Sequence, residues 1–438
     1  MGAYAGGVQW RGRERVSAAA YVSILAVTVV LERYANYLWF EQPVLWGQSL
    51  NILLMFVGFG VAGVLWLAAP QQERANTPLK VFLIAMALAW VVHWVLFRYH
   101  SDAMNYTAIL YVPILLLLYL KPPTWLQAKI ALIAFAWTTT VVLVLTRVLE
   151  MVGALEVKAQ PQGVIDFDTE RYFLPLNDLM GIEGRWPGPF GHNGDTAMMG
   201  ALILIIGIAF WSRSSWAFIT VGGATLLLTN GRASMGATIA GLVILIMFTN
   251  HGFFARYSRT IRITIGSILL VLGALVMYSR PAGLTGRERI WPAFLDLWFS
   301  SPLLGVGSRG IANGDEVTSL FLHAHSLYID ELARYGLVGF LSQFGALAIG
   351  VGIAAVVAWR GYPAPLAVLA AYLVTGITEP RNTWISPTAT GFLVILIIVA
   401  ASAKLRDATD ETEHLGEEPA LAFNRDGQDE QGARKRTD

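Results

Sequence analysis

The chain has 438 residues, 55% of them hydrophobic and only 14% charged, with a net charge of +1 and a mean hydropathy of +0.55. A soluble domain cannot hide that much apolar surface, whereas a bilayer can, and a charge so close to zero argues against a nucleic-acid partner. The absence of cysteine excludes disulfides, cysteine-ligated zinc and thiol nucleophiles without fixing the compartment.

In chain order, residues 1–15 read as a short cytoplasmic N-terminus followed too quickly by apolar sequence for a cleaved signal, so the first span is expected to be a retained anchor. Apolar spans then fall near 16–38, 48–69, 80–98, 104–120, 126–148, 195–211, 216–229, 233–249, 263–279, 335–358, 364–378 and 386–402. The expected fold is an all-α polytopic membrane protein with about twelve transmembrane helices across 16–402. Several spans are shorter than the roughly 20 residues a straight crossing needs, and 216–229 with 233–249 is the tightest pair.

Charge tests the count. With the N-terminus inside, cytoplasmic segments hold Arg11, Arg13, Arg15, Arg74, Lys80, Lys121, Arg213, Arg256, Arg259, Arg262, Arg360, Lys404 and Arg406. One miscounted span before residue 250 would expose the Arg256, Arg259, Arg262 group on the wrong side. Both termini are then cytoplasmic, and two long connections, 149–194 and 280–334, lie outside. Long structured loops in compact proteins are usually functional. The tail 403–438 is polar, mixed in charge and expected to be disordered.

The outer connections gather the polar residues that packing does not explain: Arg185, Arg232, Arg287, His323 and His325. Residues 287–299 combine Arg287 and Arg289 with Ile290, Trp291, Phe294, Leu295 and Trp298, an amphipathic pattern suited to a helix in the outer interface. A simple interfacial anchor would account for the aromatics but not for the arginines. Further on, His325–Ser326 is followed by nine residues, Gly336, two residues and Gly339. If this stretch is one helix from about residue 326, His325, Leu332 and Gly336 share a face, and the glycines admit a neighbouring helix or lipid chain. His325 reads either as a hydrogen-bonded loop histidine or as a base that takes a proton near neutral pH.

The stretch HSLYIDELARYGLVG resembles the His-[Asn/Ser/Gln], nine residues, Gly, two residues, [Gly/Thr/Tyr] pattern of the bacterial O-antigen ligase family. The wider TGRERIWPAFLDLWFSSPLLGVGSRG…HAHSLYIDELARYGLVG is similar to the domain that family shares with Wzy-type O-antigen polymerases. LLTNGRASMGA resembles the family's short Ser/Gly-Arg-Ala/Gly turn, and RWPGPFGHNGDTA its outer segment before the next span, so the likeness covers roughly 185–340.

That resemblance implies a GT-C-like glycosyltransferase working outside the cytoplasmic membrane. Its donor is a glycan on a polyprenyl diphosphate, and its acceptor is a hydroxyl on a glycan or glycolipid. The leaving diphosphate gains negative charge, and Arg185, Arg232 and Arg287 can meet it with bidentate forks, Arg232 beside a helix N-terminus. Headgroup snorkelling by Arg232 and a loop ion pair between Arg185 and Glu183 are the alternatives. His325 would be the general base or the group orienting the acceptor hydroxyl, with His323, Arg289, His192 and Ser326 as accessories; Arg289 and Arg334 read as structural. His323 and His325 are expected to point apart on an extended segment. Glu41, with Glu32 at the edge of the preceding span, and the Asp166–Asp168 pair are the acidic candidates for a metal, and no metal or cofactor is expected. Two rivals stay open: a Wzy-type polymerase, and a transporter or flippase, whose polar groups would sit near mid-membrane. His93 is the main residue of that kind here.

Overall fold

The structure is a computed structural model that describes residues 12–40, 53–69, 75–100, 111–155, 186–190, 193–210, 214–229, 231–250, 256–278, 287–377 and 390–407. Glu41, Asp166, Asp168, Arg185, His192 and the tail beyond 407 lie outside the described residues, as do the side chains of Arg232 and Arg289.

Among the described residues the chain is helical, and a helix lies at each predicted apolar span. We number them α1 (Gly12–Phe40), α2 (Phe59–Ala68, entered through a π turn at Leu54–Gly58), α3 (Thr77–Tyr99), α4 (Tyr111–Leu120), α5 (Trp125–Met151), α6 (Asn193–Ala209), α7 (Ser215–Thr229), α8 (Arg232–Phe248) and α9 (Arg259–Tyr278). Then come three short helices in the second long connection, α10 (Arg287–Ser300), α11 (Gly307–Ala312) and α12 (Glu316–Phe321). The chain continues with α13 (Leu327–Trp359), α14 (Ala364–Gly376) and α15 (residues 390–407). Three of these, α3, α5 and α13, are long and apolar enough by length and composition to cross a membrane. The whole is consistent with a helical membrane protein.

Local sequence sets the starts. Asn76 caps α3, its side chain accepting from the Leu79 N–H, with Pro78 in the first turn. Thr124 and Gln127 form a reciprocal capping box on α5.

The helices share one large apolar core that runs from Tyr21 in α1 to Ala401 in α15. Within it α13 and α14 form an antiparallel pair: Leu327 lies beside Gly376, and the Tyr328 hydroxyl donates to the Leu373 carbonyl at 2.8 Å. At the opposite end, the ring of Trp359 stands 6.3 Å from that of Phe248, the last residue of α8. So α8 starts at the His325 end. Gly241 packs on the Ala367 carbonyl, nine residues from Arg232 and from Gly376 respectively, so both helix ends sit about 13 Å from that crossing, at the same level.

The two ends therefore differ in content. Arg98, His100, Arg147, Glu150, Trp186, Arg232, Arg287, His323 and His325 belong to one end. Lys80, Lys121, Lys129, Arg256, Arg259, Arg262, Arg360, Lys404 and Arg406 belong to the other.

A second, smaller core sits at the His325 end. Ile290 and Phe294 of α10, Ile311 of α11, and Ala324 and Ala333 around the start of α13 are buried together. Leu297, Val306, Val317, Phe321 and Ile329 complete it. The stripe 290, 294, 297 on α10 thus faces protein, while Phe299 stays 66% exposed. Residues 287–335 form a cap with its own interior.

Candidate functional site

The cap positions the histidines. Asp315 caps α12 by accepting from the Thr318 N–H at 2.8 Å, and the helix ends at Leu322, whose φ is +55°. His325 also takes a left-handed conformation, φ +49°. Such angles are uncommon outside glycine and persist where neighbours hold them. Here Asp330 holds them: one carboxylate oxygen accepts the Ala324 N–H at 3.0 Å and the other accepts Arg334 Nε at 2.7 Å. Arg334 also donates to Ser308 Oγ at 2.7 Å and to the Leu322 carbonyl. The reading of Arg334 as a structural residue thus has a geometry: it ties α11, the 322–325 turn and α13 together.

Two expectations are corrected at this turn. His323 and His325 do not point apart; their rings lie 4.3 Å between centroids at 40°. The left-handed backbone at His325 cancels the alternation of an extended segment, and buried Ala324 turns inward between them. Phe321 stands 6.0 Å from His325 nearly at right angles, and the His323 ring nitrogen contacts the Phe321 carbonyl. Both imidazoles are half-buried, whereas Ser326, at the N-cap position of α13, is 3% exposed and makes no side-chain cap bond.

Nor does α13 run unbroken from residue 326. Gly336 has φ +62° and ψ −164°, a region open essentially only to glycine, and the helix is interrupted there. The connection from α10 to α11 fills the break. Leu337 N–H donates to the Pro302 carbonyl at 2.9 Å, Val338 N–H to Leu303 at 3.0 Å, and Val306 N–H to Ala333 at 2.9 Å. A Cβ on Gly336 would lie 2.3 Å from the Leu303 carbonyl oxygen. What the glycine admits is therefore a loop backbone rather than a helix or lipid. Gly339 does face a neighbouring helix: a Cβ there would meet Leu96 of α3 at 3.3 Å.

The two turns 327–335 form a short platform between this break and His325, held from three sides. Tyr328 fastens it to α14, Val306 to the cap, and Glu331 to α3. Glu331 and His93 are 2% and 5% exposed and bonded to each other, with His93 Nδ1 3.0 Å from the Ala89 carbonyl and its ring against Tyr335 at 5.0 Å. His93 lies six residues before the end of α3, about 9 Å below it, and five residues past the helix midpoint at Leu88. His100, just past α3, reaches the Leu304 carbonyl at 2.9 Å and closes the seam between bundle and cap.

A second polar group sits at the same end. Arg147 pairs with Glu150 at 3.0 Å near the end of α5, and Trp186 Nε1 donates to both Glu150 oxygens at 3.1 and 2.8 Å. All three are buried. The Trp186 N–H donates to the Leu228 carbonyl at 3.1 Å, which joins this segment to the end of α7, four residues before Arg232. Gly231 in the turn lies against Ala197 of α6.

Of the four cationic positions anticipated, Arg232 heads α8 and half-buried Arg287 heads α10. Both α8 and α13 pack on α14, so helix spacings of 8–10 Å put the starts of α8 and α13 within about 20 Å. Ile290, one turn after Arg287, shares the small core with Ala324 beside His325. Arg289 lies in the first turn of α10, and Arg185 and His192 fall outside the described residues. Among the described residues no group of three His, Asp or Glu side chains is arranged to hold a metal. The residues that sequence reading passed over are Arg147, Glu150, Trp186, Asp330, Glu331 and His100. An Arg and a Glu three apart at the end of an apolar span were a usable signal for the first two.

Residues 196–344 match the family model described as O-antigen ligase. No curated protein matches the chain. The matched stretch runs from α6 to the first part of α13, about a third of the chain. It contains Arg232, Arg287, His323, His325, Gly336 and Gly339, with Arg185 and His192 just before it.

Proposed function

We propose that the protein is a GT-C-like, multi-pass glycosyltransferase of the O-antigen ligase type. It moves a glycan from a polyprenyl diphosphate to an acceptor hydroxyl on a glycan or glycolipid, on the outer side of the cytoplasmic membrane. The acceptor oxygen bonds to the anomeric carbon from the back face, and the bond from that carbon to the diphosphate oxygen breaks. His325 takes the hydroxyl proton, the polyprenyl diphosphate leaves, and the anomeric centre inverts. Arg185, Arg232 and Arg287 meet the departing charge, with the N–H groups at the start of α8 as a second donor set. No metal enters the scheme. His323 and His192 assist at the acceptor side.

The observation that carries this reading is the family match across the segment in which His325 is held in a left-handed turn, at the bundle end where α8 also begins. Twelve crossings with both termini cytoplasmic fit the basic residues gathered at the opposite end.

Purified protein mixed with lipid-linked donor and acceptor tests the reading. The wild type is expected to form a new glycosidic bond and His325→Ala to fold without doing so; turnover retained by that variant would remove His325 from the mechanism. The polymerase alternative is separated in a deletion strain. Loss of a ligase leaves full-length polymer on the lipid carrier, whereas loss of a polymerase leaves single repeats already transferred.

A further inference from the structure

At the end of the bundle away from His325, four helix ends meet: the last residues of α8 and α13 and the first of α9 and α14. Arg259 lies flat on Trp359, its guanidinium carbon 3.4 Å from the ring centroid, with Phe248 at 5.8 Å on another side. Arg262, one turn on along the same face of α9, is 7% exposed and donates through Nη1 to the Thr249 carbonyl. Asn250 packs on Gly361, next to Tyr362, and Lys404 of α15 sits over the Tyr362 ring at 4.2 Å. Arg360 is exposed in the same corner.

Arg262 Nε and Arg259 Nη2 are buried donors with no hydrogen-bond partner, and among the described residues no carboxylate pairs with either arginine. A buried guanidinium N–H left without a partner is costly and calls for a ligand, water or ion. Topology alone asks only that basic residues lie near the cytoplasmic surface; it gives no reason to bury one of them or stack another on an indole.

We propose that this corner is a binding site for the phosphate of an anionic phospholipid. Planar guanidinium groups suit phosphate oxygens, and Trp359 holds Arg259 in place while helping to exclude water. The source is lipid rather than free phosphate because the corner opens onto apolar surface. Trp359 is 65% exposed, and Val356, one turn before it on α13, is exposed as well. The site is independent of the transferase reading: lipid retention and glycan transfer are separate readouts, and either can fail alone.

Native mass spectrometry of the full chain, delipidated and then titrated with vesicles of phosphatidylglycerol or of phosphatidylcholine, tests it. Wild type is expected to retain phosphatidylglycerol roughly tenfold better, and Arg259→Gln/Arg262→Gln to abolish the difference. Arg309→Gln, an exposed arginine at the other end, should retain it in full. Should the double variant not purify, Arg259→Lys, which keeps the charge but loses the flat stack, is expected to narrow the preference several-fold. Equal retention of the two lipids by wild type would overturn the proposal, as would undiminished preference in the variants. Stabilisation by inorganic phosphate as large as that by phosphatidylglycerol would overturn the lipid assignment.

Discussion

The bundle and the cap are held by different forces. Most residues buried in the bundle are aliphatic or aromatic, and most of these belong to one large cluster. The cap's own cluster has five buried apolar residues, and directional bonds do the rest: Asp330–Arg334 and Val306–Ala333 within the cap, and Leu337–Pro302, Val338–Leu303 and His100–Leu304 between cap and bundle. Apolar packing tolerates small shifts, whereas a hydrogen-bonded seam specifies one arrangement. The histidines sit on the seam, where placement matters most.

That contrast can be broken or sharpened by substitution. The largest effect is expected from His325→Ala, a loss of about a hundredfold or more in transfer rate with the melting temperature nearly unchanged; a rate within a few-fold of wild type would deny the seam its catalytic purpose. Gly336→Ala puts a Cβ against the Leu303 carbonyl in a glycine-only conformation and should cost about 3 kcal/mol, with transfer lost alongside. Detergent melting curves and the assay read both; a neutral outcome would mean that α13 can close its break. Glu331→Ala leaves buried His93 without its partner and is expected to cost about 3 kcal/mol. Glu331→Gln keeps a hydrogen bond and should recover most of that loss, so equal damage from both would indicate a need for the charge itself. The smallest effect belongs to the bundle: Ile203→Val removes one buried methyl group for about 1 kcal/mol and should leave the transfer rate alone. A rate change there would show that the bundle, too, sets the site's geometry.

Much of the frame was legible because apolar runs and the distribution of Arg and Lys report directly on which segments avoid water. His325 became a candidate through its spacing from two glycines. The reason for that spacing was not legible: one helix through Gly336 and a broken helix entered by the 302–305 backbone are written with the same letters, and only the long-range partner distinguishes them. His93 stood out as an ionisable residue within a span, but Glu331, 238 residues away, could not be identified as its partner. Nothing local paired Trp186 with Glu150, 36 residues away.

By itself the sequence determined the helical, lipid-suited character of the chain, the positions of its apolar spans and the short segment that carries the family resemblance, because each is a local property of composition and periodicity. Tertiary structure alone decided that residues 287–335 form a cap with its own interior, that the two histidine rings face each other, and that Asp330 and Arg334 hold their turn. Those outcomes depend on backbone donors and acceptors meeting across long stretches of chain, and no local pattern encodes such partners.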